Sequence, residues 1–404
     1  MAVLFSLSLL FFIERGAYRA LRESRTGDFA TVYAAARCWM HGENPYARAD
    51  LRLELVRAGA PTPLIREQDR HASLYLVSAM PFLAVVALLP WTAANITWCL
   101  VSIACFAASI FVLVEYLPLS QTSKWVAASF CLISSPTYVG ILNGNPSVVA
   151  ISLTILSLHF ALRGASWTSG ILLAVTLCLK PQVALCGVVA FVVWKCWPPL
   201  LFGLGTALAA ALLSVLQVSS WGHNWAWWAS LTQNLTYETS PGGLTDARPA
   251  SPYASQLLNG QTLSYLVTSN ERVADGLVLL GAAGMTIIYF CFRKRDAAGD
   301  LRSDAAFLAA MTLTVTYHRY YDGQLLLLLL PAAISFWQTG RTKIAMVLGA
   351  CLAVMALPLQ SVIERVLGPA AAHGSVAEVI LLRHEPLAIV AVILVLGFRS
   401  FAEN

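Results

Sequence analysis

Apolar runs recur along nearly the whole chain, at about 73–90, 92–117, 124–141, 146–162, 167–179, 182–194, 198–218, 272–292, 304–317, 323–339, 342–359 and 386–400. Such runs predict helices that cross a bilayer, whose hydrocarbon core takes roughly 20 apolar residues to span. Several are short or marked by proline at Pro81, Pro136 and Pro181, a pattern of broken or tilted helices around a cavity. Met1–Ile13 is apolar but shorter than a span. It lacks a basic start and a small-residue cleavage site, so it predicts a shortened first helix, with the true start upstream, rather than a signal peptide.

Two long polar stretches interrupt this pattern, 14–72 and 219–271. The first carries ten arginines, no lysine and eight acids. Within it, Phe29, Val32, Tyr33, Ala36 and Trp39 recur at helical spacing from Asp28 to His41, and Gly42 is placed to end the helix. That predicts an amphipathic helix lying on the membrane. A second short helix is expected over about Ala49–Ala58, closed by Gly59 and Pro61. The 219–271 stretch is rich in Trp, Tyr, Ser and Gly, as suits an interfacial or substrate-covering loop.

Composition agrees with the pattern. Of 404 residues 58% are hydrophobic and 12% charged, with a mean hydropathy of +0.68; a soluble chain carries about twice that charge. The chain is therefore expected to be an all-α polytopic membrane protein of eleven to thirteen spans, forming a single domain in the cell membrane. Most of the nine cysteines lie in apolar runs without metal spacing, which makes them packing residues. The net charge of +5 points to lipid headgroups rather than nucleic acid.

Basic residues in short connections orient the chain. Arg293-Lys294-Arg295, Arg341 with Lys343, Lys195 and Arg163 are expected to be cytoplasmic. Counting helices then puts Lys180-Pro181-Gln182, the 219–271 loop, Asn143-Gly144-Asn145 and Tyr317–Asp322 on the extracytoplasmic face. The arginine-rich 14–72 loop resists this rule, although its acids nearly balance its arginines. Parity also fails unless one early segment is re-entrant, and 124–141, broken at Ser134-Ser135-Pro136, is the candidate.

Polar side chains are scarce enough to name. Asp28 stands at a predicted helix start, either as the N-cap or as a membrane-face acid able to take a proton. Asn44-Pro45-Tyr46 is first a turn. Lys180 lies between two apolar helices, beside Pro181 and Gln182; it either snorkels or meets an anion such as a lipid phosphate. Asn143 and Asn145 flank Gly144 in a helix break, suited to binding sugar hydroxyls or to capping. In Tyr317-His318-Arg319-Tyr320-Tyr321-Asp322, His318 or Arg319 can neutralise a phosphate while Asp322 orients one of them; the alternative is an interfacial aromatic-basic belt. Asn234-Leu235-Thr236 matches a glycosylation sequon, a pattern common by chance. No Asp-x-Asp pair lies in a polar loop, so neither a metal nor a cofactor is indicated.

Gly27-Asp28-Phe29, then Tyr33-Ala34-Ala35 and Gly42-Glu43-Asn44-Pro45-Tyr46, resembles the first extracytoplasmic loop of glycosyltransferase family 87. Leu142-Asn143-Gly144-Asn145-Pro146, Arg163-Gly164, and Gly170 through Leu179-Lys180-Pro181-Gln182 resemble its Gly-Gln and Lys-Pro segments. His318 to Asp322 before a leucine run is similar to its late His or Tyr-Asp element. Asn145 departs from the glutamine more usual in the family.

The resemblance implies a GT-C fold and an inverting, metal-independent transfer outside the membrane. It also implies a polyprenyl-phosphate sugar donor, usually of mannose, and a lipid or glycan acceptor. Asp28 would be the base, with Lys180, Gln182, His318, Arg319, Asp322, Asn143, Asn145, Tyr33, Asn44 and Tyr46 as candidates for substrate or donor binding. The competing reading is a transporter or flippase for a lipid-linked or small anionic substrate, whose broken helices would also carry Lys and His. A non-catalytic subunit of an envelope assembly complex is a third reading and requires Asp28 to be dispensable.

Overall fold

The computed structural model describes residues 1–22, 26–68, 72–115, 117–220, 225–292, 298–367 and 381–399. The basic turn at 293–295 lies outside them. The described residues are helical with no strand beyond one isolated bridge, Leu257 to Arg319. The chain is all-α.

By length and composition three helices can cross a membrane: Trp91–Glu115, Trp197–Ser220 and Glu271–Cys291. A fourth span forms if Gln121–Ile133 and Ser135–Asn143 are one element bent by 45°. The bend falls at the serine-proline break noted in the sequence. The other apolar runs fold as helices of 10–17 residues, among them Ser147–Leu162, Ser166–Leu179, Pro181–Val193, Thr342–Ala356 and His384–Phe398. Helix length and composition alone thus pick out three or four spans among the described residues, the remaining apolar runs being shorter helices. The first helix is longer than its apolar run. Ala2–Phe12 continues through a π-helical turn, Ile13–Tyr18, into Arg19–Arg22.

The chain divides into two compact units. The first comprises residues 1–115, 120–132 and 137–238. In it Gly27–His41 is helical over the expected span, but Phe29 to Ala36 are all buried, so protein encloses it on every side and it is not an amphipathic surface helix. Gly42 closes it at φ 73°, a left-handed conformation that glycine adopts without strain. Arg48–Arg57 follows, then Thr62–Glu67. The loop these helices form rests on a buried cluster of Tyr46, Val77, Val218, Trp227 and Leu231, with Trp39 packed against it. Deeper in the unit, Gly170 and Gly203 let two helices approach closely: a methyl on Gly203 would meet the Gly170 carbonyl oxygen at 3.0 Å. Ser157 and Ser169 exchange hydroxyl-to-carbonyl hydrogen bonds of 2.8 Å between neighbouring helices.

The second unit comprises 116–119, 133–136 and 239–404. Its apolar helices are Glu271–Phe292, Ala298–Val315, Leu329–Gln338, Thr342–Ala356 and His384–Phe398. Before Leu329 the chain makes a nine-residue 3-10 helix, Tyr320–Leu328, with Tyr321 to Leu328 all buried. Runs of that geometry longer than three or four residues are uncommon and often mark functional segments.

Candidate functional site

Asp28 is in the first turn of Gly27–His41, not at its cap; the N-cap is Thr26. A carboxylate there complements the positive end of the helix dipole. The side chain is half-buried. Its Oδ2 accepts a 2.7 Å hydrogen bond from Asn145 Nδ2.

Asn145 reaches it because of Gly144. The Ser135–Asn143 helix ends with Gly144 at φ +64°, and the Asn145 N–H donates back to the Gly140 carbonyl. No side chain fits at this turn: a methyl on Gly144 would lie 2.6 Å from Phe29 Cβ. Trp98 holds the turn, donating Nε1–H to the Gly144 carbonyl at 2.8 Å and stacking its ring on Phe29 at 5.3 Å. The helix bearing Asp28 and the turn bearing Asn145 are therefore one packed unit.

Asn145 also works in the other direction. Its Oδ1 accepts from the Ser147 backbone N–H (2.9 Å) and from Ser147 Oγ (2.5 Å), an Asx-type turn that ties down the first residue of the following helix. Ser147 Oγ in turn accepts from Lys180 Nζ. Lys180 joins the helices Ser166–Leu179 and Pro181–Val193 at φ −156°, ψ 80°, outside the helical region that a following proline disfavours. It is 5% exposed, so it does not snorkel. Asp28, Asn145, Ser147 and Lys180 thus form one hydrogen-bonded path from an accessible acid to a buried cation. Ser147 was missed in the sequence. Its signal was the Asn-Pro-Ser spacing, which lets an asparagine side chain receive the backbone N–H two residues on.

The remaining candidates of this unit have other surroundings. Asn143 and Gln182 are half-buried. Tyr33 is buried, and its hydroxyl donates to the Leu89 carbonyl at 2.7 Å; burial raises its pKa, with Arg37 opposing. Tyr46 is buried and donates to the Tyr75 carbonyl at 2.7 Å. Asn44 accepts from the Tyr46 N–H and donates to Ser230 Oγ, forming the turn read from its sequence. The polar atoms of these three residues tie the loop to its own unit. Asn234 of the sequon is also buried, with Nδ2 donating to the carbonyls of Tyr46 and Ser73.

The same loop holds a second acid in a different state. Glu54 is fully buried, with Arg37 Nε at 2.7 Å, Arg57 at 2.6 Å and His41 at 3.0 Å. Burial pushes its carboxyl up, but the hydrogen bonds from Arg57, Arg37 and His41 outweigh it and leave the pKa lowered.

In the second unit His318 is fully buried. Its Nδ1 donates to Asp322 Oδ2 at 3.0 Å, and Nε2 pairs with Thr316 Oγ1 at 2.8 Å, so both ring nitrogens are engaged. Asp322 Oδ2 also accepts from the Arg319 N–H, which fixes the start of the 3-10 helix. Arg319 is half-buried and its guanidinium donates to Gln256 Oε1 at 2.5 Å.

A family model described as glycosyltransferase family 87 matches residues 74–317, more than half of the chain. The chain belongs to glycosyltransferase family 87. No curated protein and no solved structure matches it significantly. Asn143, Asn145, Ser147, Lys180 and Gln182 of this glycosyltransferase lie within the matched span, whereas Asp28 and His318–Asp322 lie outside it. Membership establishes a glycosyltransferase with several apolar helices, acting on a sugar donor and an acceptor. It displaces the transporter reading.

Proposed function

We propose that this glycosyltransferase transfers a hexose, mannose in the first instance, from a polyprenyl-phosphate donor to a hydroxyl of a glycolipid or glycan on the extracytoplasmic side of the cell membrane. The observation that carries this reading is the path Asp28–Asn145–Ser147–Lys180. It joins a carboxylate open enough to meet an acceptor to a buried ammonium suited to a phosphate.

In this reaction Asp28 takes the proton of the acceptor hydroxyl while that oxygen attacks the anomeric carbon. The bond from the anomeric carbon to the phosphate oxygen breaks, and its electron pair leaves with the polyprenyl phosphate. A phosphate monoester needs charge neutralisation more than a proton, and Lys180 is the proposed cation for it. Asn145 holds the carboxylate in place, with Asn143 and Gln182 as further polar contacts. Tyr33, Asn44 and Tyr46 are proposed to act through the shape of the loop. In the second unit, taken by itself, Arg319 rather than His318 is proposed as the residue able to offer a charge to an anion, because both nitrogens of His318 are engaged. The GT-C fold and the sugar follow from the family resemblance; the acid and the cation are read from the residues.

Membranes bearing the protein, given radiolabelled polyprenyl-phosphate-mannose, should yield a labelled product in the wild type and not in Asp28→Asn. Undiminished transfer by the variant would remove Asp28 as the base. No transfer by the wild type with this donor, alongside transfer from another sugar-phosphate lipid, would overturn the mannose assignment.

A further inference from the structure

A second acid meets the first turn of the helix that carries Asp28. The helix Thr62–Glu67 ends there, and a methyl placed on Gly27 would lie 3.0 Å from both carboxylate oxygens of Glu67. The half-buried Glu67 carboxylate therefore rests on the backbone of the residue preceding Asp28. The next residue pins the contact. Gln68 Nε2 donates to Thr31 Oγ1 at 2.6 Å, and Thr31 Oγ1 donates to the Gly27 carbonyl at 3.1 Å.

Two buried polar atoms at this same end have no hydrogen-bond partner among the described residues. They are Oγ1 of Thr26, 2% exposed, and Oε1 of Gln68, 1% exposed. Buried polar atoms are nearly always satisfied, by protein, water or ligand. A ligand with several hydroxyls brings both donors and acceptors to such a place, and carboxylates are strong acceptors for hydroxyl donors.

On the reading of the preceding subsection, we propose that Glu67 is a second acceptor-binding carboxylate. It receives hydrogen bonds from neighbouring hydroxyls of a polyhydroxylic acceptor, while Asp28 takes the proton of the attacking hydroxyl. The acceptor class is then a glycan or a glycolipid headgroup rather than a lipid with a single hydroxyl. Gly27 belongs to the device, because a Cβ there would lie 3.0 Å from the Glu67 carboxylate and push it by a few tenths of an ångström.

A purely structural role for Glu67 would be a negative charge at a helix N-terminus together with its contacts to the surrounding protein. That role predicts a lower melting temperature on its removal and no effect on acceptor use. The test uses the purified full chain with methyl α-mannoside as a polyol probe, read by saturation-transfer NMR, which needs no donor. The wild type should transfer saturation to the sugar protons, and Glu67→Gln should lose at least fivefold of that signal. Gly27→Ala keeps the acid but moves it, and should lose signal without loss of melting temperature. In the transfer assay, Glu67→Gln should raise the acceptor KM about tenfold or more, as expected for a lost hydrogen bond to a charged group, with the donor KM unchanged. Label should partition into the organic phase for a glycolipid acceptor and the aqueous phase for a free glycan. Wild-type signal in both variants, or equal changes in donor and acceptor KM, overturns the proposal. A wild type that binds the mannoside but transfers nothing refutes the proposed function and leaves the Glu67 assignment standing.

Discussion

Asp28 and Glu54 lie in one loop, 26 positions apart, and the fold gives them opposite surroundings. Glu54 is sealed, with three basic side chains on its two oxygens. Asp28 is half-open and, among the described residues, is held by a neutral amide. A carboxylate surrounded by cations is stabilised as an anion and is a poor proton acceptor. One held by an amide keeps its orientation and leaves a face for an incoming hydroxyl. Two acids that look alike in sequence therefore divide into a fastener and a reactive group.

The largest effect should come from Asp28→Asn. Transfer should fall roughly 100- to 10,000-fold, as for loss of a general base, with little change in melting temperature. Single-turnover rates at saturating donor would measure it. A variant keeping more than half of wild-type turnover would erase the distinction between the two acids.

Glu54→Gln should do the reverse. Breaking this buried ion pair should cost about 3 kcal/mol of stability, the low end for such pairs because His41 and Arg57 are 41% and 47% exposed. The intrinsic rate of the fraction that stays folded should be near wild type. Thermal unfolding and specific activity per folded molecule separate the two effects. The pH dependence has a definite sign, since the folded pKa of Glu54 is depressed. Its contribution is fully present above the unfolded carboxylate range and is lost as pH falls through the lowered folded value. Wild-type melting temperature should therefore drop on acidification below the ordinary carboxylate range, and the drop should be smaller in Glu54→Gln.

Gly144→Ala tests the join between the Asp28 helix and the Asn145 turn. A methyl at φ +64° and 2.6 Å from Phe29 Cβ forces the two apart, at a cost of about 1–3 kcal/mol. Activity should fall further than stability alone explains, because Asn145 moves away from Asp28. Comparing kcat with the folded fraction decides it.

The smallest effect expected is on donor affinity. Lys180→Ala should raise the KM for the polyprenyl-phosphate sugar about tenfold, consistent with loss of a charge-assisted contact. Lys180→Arg should fall between that variant and the wild type, because the fork keeps the charge and changes the geometry. An unaltered KM in Lys180→Ala would remove it from the donor site and leave Asp28 without a cationic counterpart in its path.

The sequence by itself determined the helices and their ends. Apolar runs located the apolar helices, Gly42 announced the end of the Asp28 helix, and Ser134-Ser135-Pro136 announced the bend. Polar helices such as Thr62–Glu67 and Ala226–Thr239, the latter inside the stretch read as a loop, gave no such signal. These are local matters, fixed by side-chain spacing and by what glycine and proline do to their own backbone. Local reasoning misplaced the N-cap, since a cap depends on where the first turn closes. Asp28, Asn145 and Lys180 were each visible one at a time as scarce polar groups. That they belong to one path through Ser147, that Glu54 is a fastener, and that Glu67 rests on Gly27 were decided by tertiary structure alone. The deciding contacts, Asp28 to Asn145, Ser147 to Lys180, Glu54 to Arg37 and His41, and Glu67 to Gly27, join segments between 13 and 117 positions apart, and only the short Asn145–Ser147 and Glu54–Arg57 links lie within reach of a local pattern.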